Sequence, residues 1–216
     1  MDTMMLQRHV GDLVGRYRDE GYFPSACVRV FDRDGTLAVC CAGGASPDSL
    51  FDVASLTKIA TATQVLLLAE EGAWTMDSVL SDLLPQVAQD TYLRGRIGRV
   101  TLFQLLTHTS GIPAWYPFYT RRGEGFFEVL RHALTSMPPV SGVVYSDMNF
   151  MLLGKVLEQK RGLPLEECLW RFLTVPLGLG KMMYRPPLTV AGLHRMMPSG
   201  TISCSGIRGC SLSAVS

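Results

Sequence analysis

Apolar positions in the first twenty residues recur at helical spacing. Leu6, Val10, Leu13, Val14 and Tyr17 share one face, and Gly21 follows as a stop. This pattern predicts an amphipathic helix that packs on a sheet. The residues after it change character: 25–31 (SACVRVF) and 36–41 (TLAVCC) are short runs rich in strand formers, separated by DRDG. The Asp34-Gly35 pair in that connection is a hairpin turn signal, so two antiparallel strands are expected.

From Phe51 onward the pattern reads as helices joined by loops. One helix is predicted from about Ser55 to Glu71, closed by Gly72, and a short one from Ser78 to Leu84 before Pro85. Thr101 opens another through LFQLLTH, and EGFFEVLRHALTS covers a further one. After the YSD turn come a helix through NFMLLGKVLEQKRG and a last one near Pro164 to Leu173. No second pair of strands is apparent. The final thirty residues end in GTISCSGIRGCSLSAVS, rich in serine, glycine and small residues, and read as loop or disorder. The expected organisation is therefore a domain over 1–186 and a divergent, disordered tail over 187–216. A lone hairpin is marginal in water, so the sheet reads as incomplete. The fold class is α+β: a mainly helical region plus an N-terminal β-hairpin.

At 216 residues and 47% hydrophobic, the chain can bury an ordinary core. Its 20 basic and 19 acidic residues are spread along the sequence, which marks out no face for nucleic acid and no tail for a cationic partner. The six cysteines form no CxxC or Cys/His pattern and read as buried or incidental thiols in a reducing compartment. Charges interrupt the amino-terminal stretch every few residues, so it holds neither a signal-peptide core nor a membrane span. A cytoplasmic location is expected.

The chemistry begins at FDVASLTKIATATQVLLLAEEG. Ser55 and Lys58 stand three residues apart, about one helical turn, so both side chains project from one face. A serine hydroxyl needs a neighbouring base, and a lysine serves only when neutral part of the time. Burial and the positive end of a helix both disfavour the ammonium, so a lowered Lys58 pKa is expected. Ser55 as an N-cap beside a solvated Lys58 accounts for the same residues without chemistry.

A second signal is VVYSDMNFMLLGKVLE. Tyr145 precedes a helix start at which Asp147 is a candidate cap. A cation near the tyrosine favours phenolate, which can act as base toward the serine; half-buried packing is the alternative role. In LFQLLTHTSGIP, His108 at a helix C-terminus is expected to interact with free carbonyls rather than serve as catalytic base. Trp115, Tyr116, Phe118 and Tyr119 either line a cleft or pack beneath a loop.

Taken in order, FDVASLTK, LLTHTSGIP and YSDMNFMLLGKVLE resemble the serine β-lactamase-related family of class C β-lactamases, penicillin-binding proteins such as DD-carboxypeptidases, and esterases on the same scaffold. The resemblance covers about residues 1–186 and implies a β-lactamase/transpeptidase-like fold. It also implies an acyl-enzyme on Ser55, with Lys58 and Tyr145 sharing the proton transfers. Asp147 falls where many members carry a substrate-binding asparagine, and an acceptor-only carboxylate there points toward the esterase branch. The expected partner is a small acyl substrate such as an ester, β-lactam or D-alanyl peptide, with no cofactor and no metal. No K-T-G or H-x-G triplet follows Tyr184, so the chain reads as cut short, as a frameshift or premature stop near residue 190 would leave it; sequencing the gene with its flanking frames tests this. The alternative to a serine hydrolase is a catalytically silent homologue or acyl-ligand-binding remnant.

Overall fold

The computed structural model describes residues 2–180, 182–184, 193–194 and 212–214. The described residues divide into two units, one built on residues 2–54 with 179–180, 182–184, 193–194 and 212–214, the other on 55–178.

In the first unit, α1 (Thr3–Asp19) begins at Asp2, whose carboxylate accepts from the Met4 N–H. It lies against a hairpin of β1 (Ala26–Asp32) and β2 (Gly35–Ala42), paired from Ala26↔Ala42 to Asp32↔Gly35. Two residues, Arg33 and Asp34, form the turn, and the Asp32 carboxylate accepts from the N–H groups of Asp34 (2.9 Å) and Gly35 (3.1 Å). The turn thus sits one residue before the expected Asp34-Gly35 pair. Gln7 of α1 docks on β2: its Nε2 donates to the Val39 carbonyl at 2.7 Å and its Oε1 accepts from the Val39 N–H at 3.0 Å.

The same unit contains a second sheet that sequence reading lacks. Its strand order is β4 (Met183–Tyr184), β6 (Leu212–Ala214), β3 (Leu50–Asp52), β5 (Leu193–His194). β5 and β6 fall in the stretch read as loop. Strands of two or three residues carry no alternation to read, and pairing with β3 creates them rather than local propensity. The expected boundary near 186 and the rest of the tail lie outside the described residues.

The second unit is helical: α2 (Thr57–Glu70), α3 (Leu80–Leu83), α4 (Pro85–Gln89), α5 (Thr91–Ile97), α6 (Leu102–Leu106), α7 (Phe126–Ser136), α8 (Asp147–Arg161) and α9 (Leu165–Leu169), the last extended by a π turn over Trp170–Thr174. Its core joins Val65 and Leu68 of α2, Leu102 and Leu105 of α6, Leu130 and Leu134 of α7, and Met148, Leu152 and Leu153 of α8. α5 is absent from the sequence reading because Gly95 interrupts a run of only seven residues; Asp90 caps it by accepting from the Leu93 N–H. α6 starts with the reciprocal bonds between Thr101 and Gln104 that define a capping box. Among the described residues, no helix is long and apolar enough to cross a membrane.

Candidate active site

Ser55 lies in a 3₁₀ turn, Ala54–Leu56, directly before α2, and is exposed. Ala54 adopts φ 44°, the left-handed region that costs a residue with a Cβ about 1–2 kcal/mol. Its N–H is held by the Asp52 carboxylate at 2.9 Å. Because α2 starts at Thr57, capped by Leu56 without a side-chain bond, Ser55 is not the expected N-cap. Its Oγ instead accepts from Lys58 Nζ at 3.1 Å.

Lys58 reaches a second partner, the carboxylate of Asp147, at 2.7 Å. Here too the expected cap is corrected. Ser146 caps α8, its Oγ accepting from the Asn149 N–H, and Asp147, as the first helical residue, turns its side chain to Lys58. Lys58 Nζ also sits 4.8 Å from the centre of the Tyr145 ring and 5.7 Å from that of Phe150, within cation–π range.

These contacts reverse the expected pKa of the lysine. Burial pushes the Lys58 pKa down, but hydrogen bonding and charge interactions with Asp147 and Tyr145 outweigh it and hold it above the ordinary lysine value. The carboxylate that outweighs the helix start lies eighty-nine residues away in sequence. For Tyr145 burial pushes upward, yet its interactions with Lys58 and Ser55 prevail over burial and over the Asp147 charge, and its phenol stands below the ordinary tyrosine value. The arrangement thus couples a fixed cation, an acidified phenol and an exposed hydroxyl.

His108 is likewise corrected. It adopts φ 60° after α6, and its Nδ1 accepts from the Ser146 N–H at 3.0 Å instead of donating to helix carbonyls. Its ring lies 4.6 Å from that of Tyr145 and 5.3 Å from that of Phe150. Burial first, then the Lys58 charge, lower its pKa below 6.5, against the opposing Asp147 charge.

Three buried or half-buried polar residues that sequence reading gave no role support this layer. Ser110 Oγ donates to Asn149 Oδ1 at 2.7 Å, Asn149 Nδ2 donates to the Leu105 carbonyl at 3.3 Å, and Ser146 Oγ donates to the Pro113 carbonyl at 2.7 Å. The available signal was Asn149 itself, a polar residue on the apolar face of α8 between Met148 and Leu152. Packing accounts for only part of the aromatic run. Phe118 is buried and stacks on Phe126 at 5.5 Å, with Tyr116 edge-on to it, whereas Trp115 is 53% exposed beside Tyr119. Among the described residues, no group of three or more His, Cys, Asp or Glu is placed to hold a metal ion.

The β-lactamase family model matches residues 10–201. Penicillin-binding protein 4 of Amycolatopsis lactamdurans is 30% identical over 181 residues, covering 78% of this chain and 47% of that protein. The D-alanyl-D-alanine-carboxypeptidase/endopeptidase AmpH of Escherichia coli K12 is 30% identical over 147 residues, 64% of this chain and 38% of that protein. The chain therefore spans about half the length, or less, of these curated relatives. A solved class C β-lactamase superposes with a TM-score of 0.81 at 19% identity, over 100% of this chain and 63% of that one, which establishes the β-lactamase/transpeptidase fold. With a family match running through most of the sequence and that fold, the chain belongs to the serine β-lactamase and penicillin-binding-protein family.

Proposed function

We propose that this chain is a serine hydrolase in which Ser55 is the nucleophile, Tyr145 the general base and Lys58 a fixed cation, acting on small esters, with β-lactams and D-alanyl peptides as related acyl donors. One observation carries the reading: Lys58 Nζ donates at once to Ser55 Oγ and to the Asp147 carboxylate. A lysine so paired keeps its proton, and its charge stabilises both the Tyr145 phenolate and the developing serine oxyanion. The phenolate takes the Oγ proton as Oγ attacks the substrate carbonyl, and the phenol returns that proton to the leaving group. Water then releases the acyl group by the same exchange.

The ester preference rests on Asp147. Its oxygens only accept hydrogen bonds and one is engaged by Lys58, so the position offers no amide donor to an acyl-amide carbonyl. D-alanyl peptides enter the reading through the relatives named as D-alanyl-D-alanine carboxypeptidases. The competing reading is binding of acyl ligands without turnover.

The test is covalent labelling. Folded protein is incubated with a fluorescent penicillin and, separately, an activated ester or fluorophosphonate, and adducts are mapped by mass spectrometry beside Ser55→Ala. Labelling at Ser55 that the variant abolishes supports the hydrolase, and the reacting probe separates lactam from ester. Absence of labelling in folded protein overturns it in favour of the silent reading.

A further inference from the structure

We propose that His108 is a positioning residue for Tyr145: its neutral Nε2–H form clamps the chain on both sides of the tyrosine, and protonation opens the clamp. The inference deepens the acyl-transfer reading above and rests on it for its kinetic consequence.

Tyr145 is 54% exposed, so its own burial does not fix it. His108 contacts its surroundings three times. The His108 carbonyl accepts from the Val144 N–H at 3.0 Å, and His108 Nδ1 accepts from the Ser146 N–H at 3.0 Å. The imidazole lies tilted against the tyrosine ring at 4.6 Å. One residue therefore bonds the backbone immediately before and after Tyr145 and packs on the ring between them.

The tautomer follows from geometry. A backbone N–H only donates, so Nδ1 must present its lone pair to Ser146 and the ring proton must sit on Nε2. A proton on Nδ1 would face that N–H and the Asn149 amide nitrogen, 3.5 Å away. On backbone grounds φ 60° is taken at no cost by glycine and most readily, among other residues, by asparagine, aspartate and histidine, so the backbone alone does not select histidine here. The ring is what distinguishes the residue placed there.

The charged and titratable groups facing this imidazole are the Lys58 ammonium from α2, the Asp147 carboxylate from α8 and the Tyr145 phenol. Burial and the Lys58 charge keep it neutral at neutral pH against the pull of Asp147. Acidification then sets a donor against the Ser146 N–H beside an ammonium, and the clamp loses its arm after Tyr145 while the His108 carbonyl keeps the Val144 N–H. Misplacing a catalytic group by about 1 Å costs on the order of a hundredfold in rate.

Two measurements test this. The rate of Ser55 labelling by a fluorophosphonate, followed across histidine's titration range, is expected to fall tenfold or more in His108→Ala with the probe's half-saturating concentration unchanged. His108→Asn, whose side-chain oxygen replaces Nδ1 as acceptor, is expected to recover most of that loss and to keep only the acid fall of the Tyr145 phenolate, about tenfold per pH unit, without the steeper fall that His108 protonation adds in the unmodified protein. A fall with acid in a folded His108→Asn protein as steep as that of the unmodified protein overturns the proposal. Independently of activity, imidazole nitrogen resonances of the unmodified protein are expected to show the Nε2–H tautomer, with Tyr145 ring signals shifting as His108 titrates. An Nδ1–H tautomer, or a Tyr145 ring indifferent to that titration, overturns the clamp even where Ser55 reacts. A silent Ser55 with coupled resonances would instead reject only the acyl-transfer reading.

Discussion

The Lys58 ammonium stands 2.7 Å from the Asp147 carboxylate while donating to Ser55 Oγ at 3.1 Å, so one cation joins the start of α2 to the start of α8. The Lys58 side chain is 16% exposed and that of Asp147 41%, which places the pair between a surface ion pair and a buried one. Its importance lies less in stability than in which group keeps the proton.

Asp147→Asn removes a negative charge that raises the pKa of both Lys58 and Tyr145. Both values are expected to fall, and each unit of fall in the phenol's gives about ten times more phenolate at neutral pH. The alkaline rise in Ser55 labelling should therefore move to lower pH, with faster labelling at neutrality. A slower reaction at every pH would mean that Asp147 is needed to orient Lys58.

Lys58→Met and Tyr145→Phe should each reduce Ser55 labelling by about a hundredfold to ten-thousandfold, the range of positioned acid–base groups. The two substitutions combined should cost little more than either alone, because both act on one proton transfer. Additive losses, read from a double-mutant cycle, would separate the two residues into independent roles.

His108 carries a pH signature in stability. Its folded pKa lies below 6.5, so the unfolded chain takes up the proton first. The resulting stability is fully present above 6.5 and declines as pH falls below it toward the folded value. Urea midpoints of the unmodified protein should show this decline, and His108→Asn should lack that part of it.

Asn149 is fully buried and joins Ser110 to the Leu105 carbonyl. Asn149→Leu leaves those partners unsatisfied and is expected to destabilise the protein by about 1–3 kcal/mol, measured by urea denaturation. An unchanged midpoint would show that the network is satisfied by other means.

Cys27 and Cys41 face each other across β1 and β2, with the Cys41 thiol donating to Cys27 Sγ at 2.7 Å. Burial first, and then hydrogen bonding and charge from Cys27, push the Cys41 thiol up to about 11, so alkylation there should be slow at neutral pH. Oxidised glutathione is expected to convert the pair to a disulfide, two protein thiols giving up their hydrogens as glutathione disulfide becomes two thiols. Peptide mapping should find that link, and closing so short a loop should stabilise the protein by about 3 kcal/mol. A pair that stays reduced would show that the strands do not permit disulfide geometry.

The local pattern of the chain determined its long periodic elements. Helical spacing from Leu6 to Tyr17 produced α1, strand-forming runs around a short turn produced β1 and β2, and the apolar stretch after Ser55 produced α2. Three ordered motifs also carried the family, because each consists of residues adjacent in sequence. Only the tertiary structure decided what depended on distant partners. The strands at 193–194 and 212–214 exist by pairing with β3, and the raised Lys58 pKa exists because α8 brings Asp147 to it. The His108 ring, expected at helix carbonyls, turns instead to the Ser146 N–H thirty-eight residues on. Hydrogen bonds and charges act over a few ångströms of space, and no spacing along a sequence encodes a contact formed when separate helices pack.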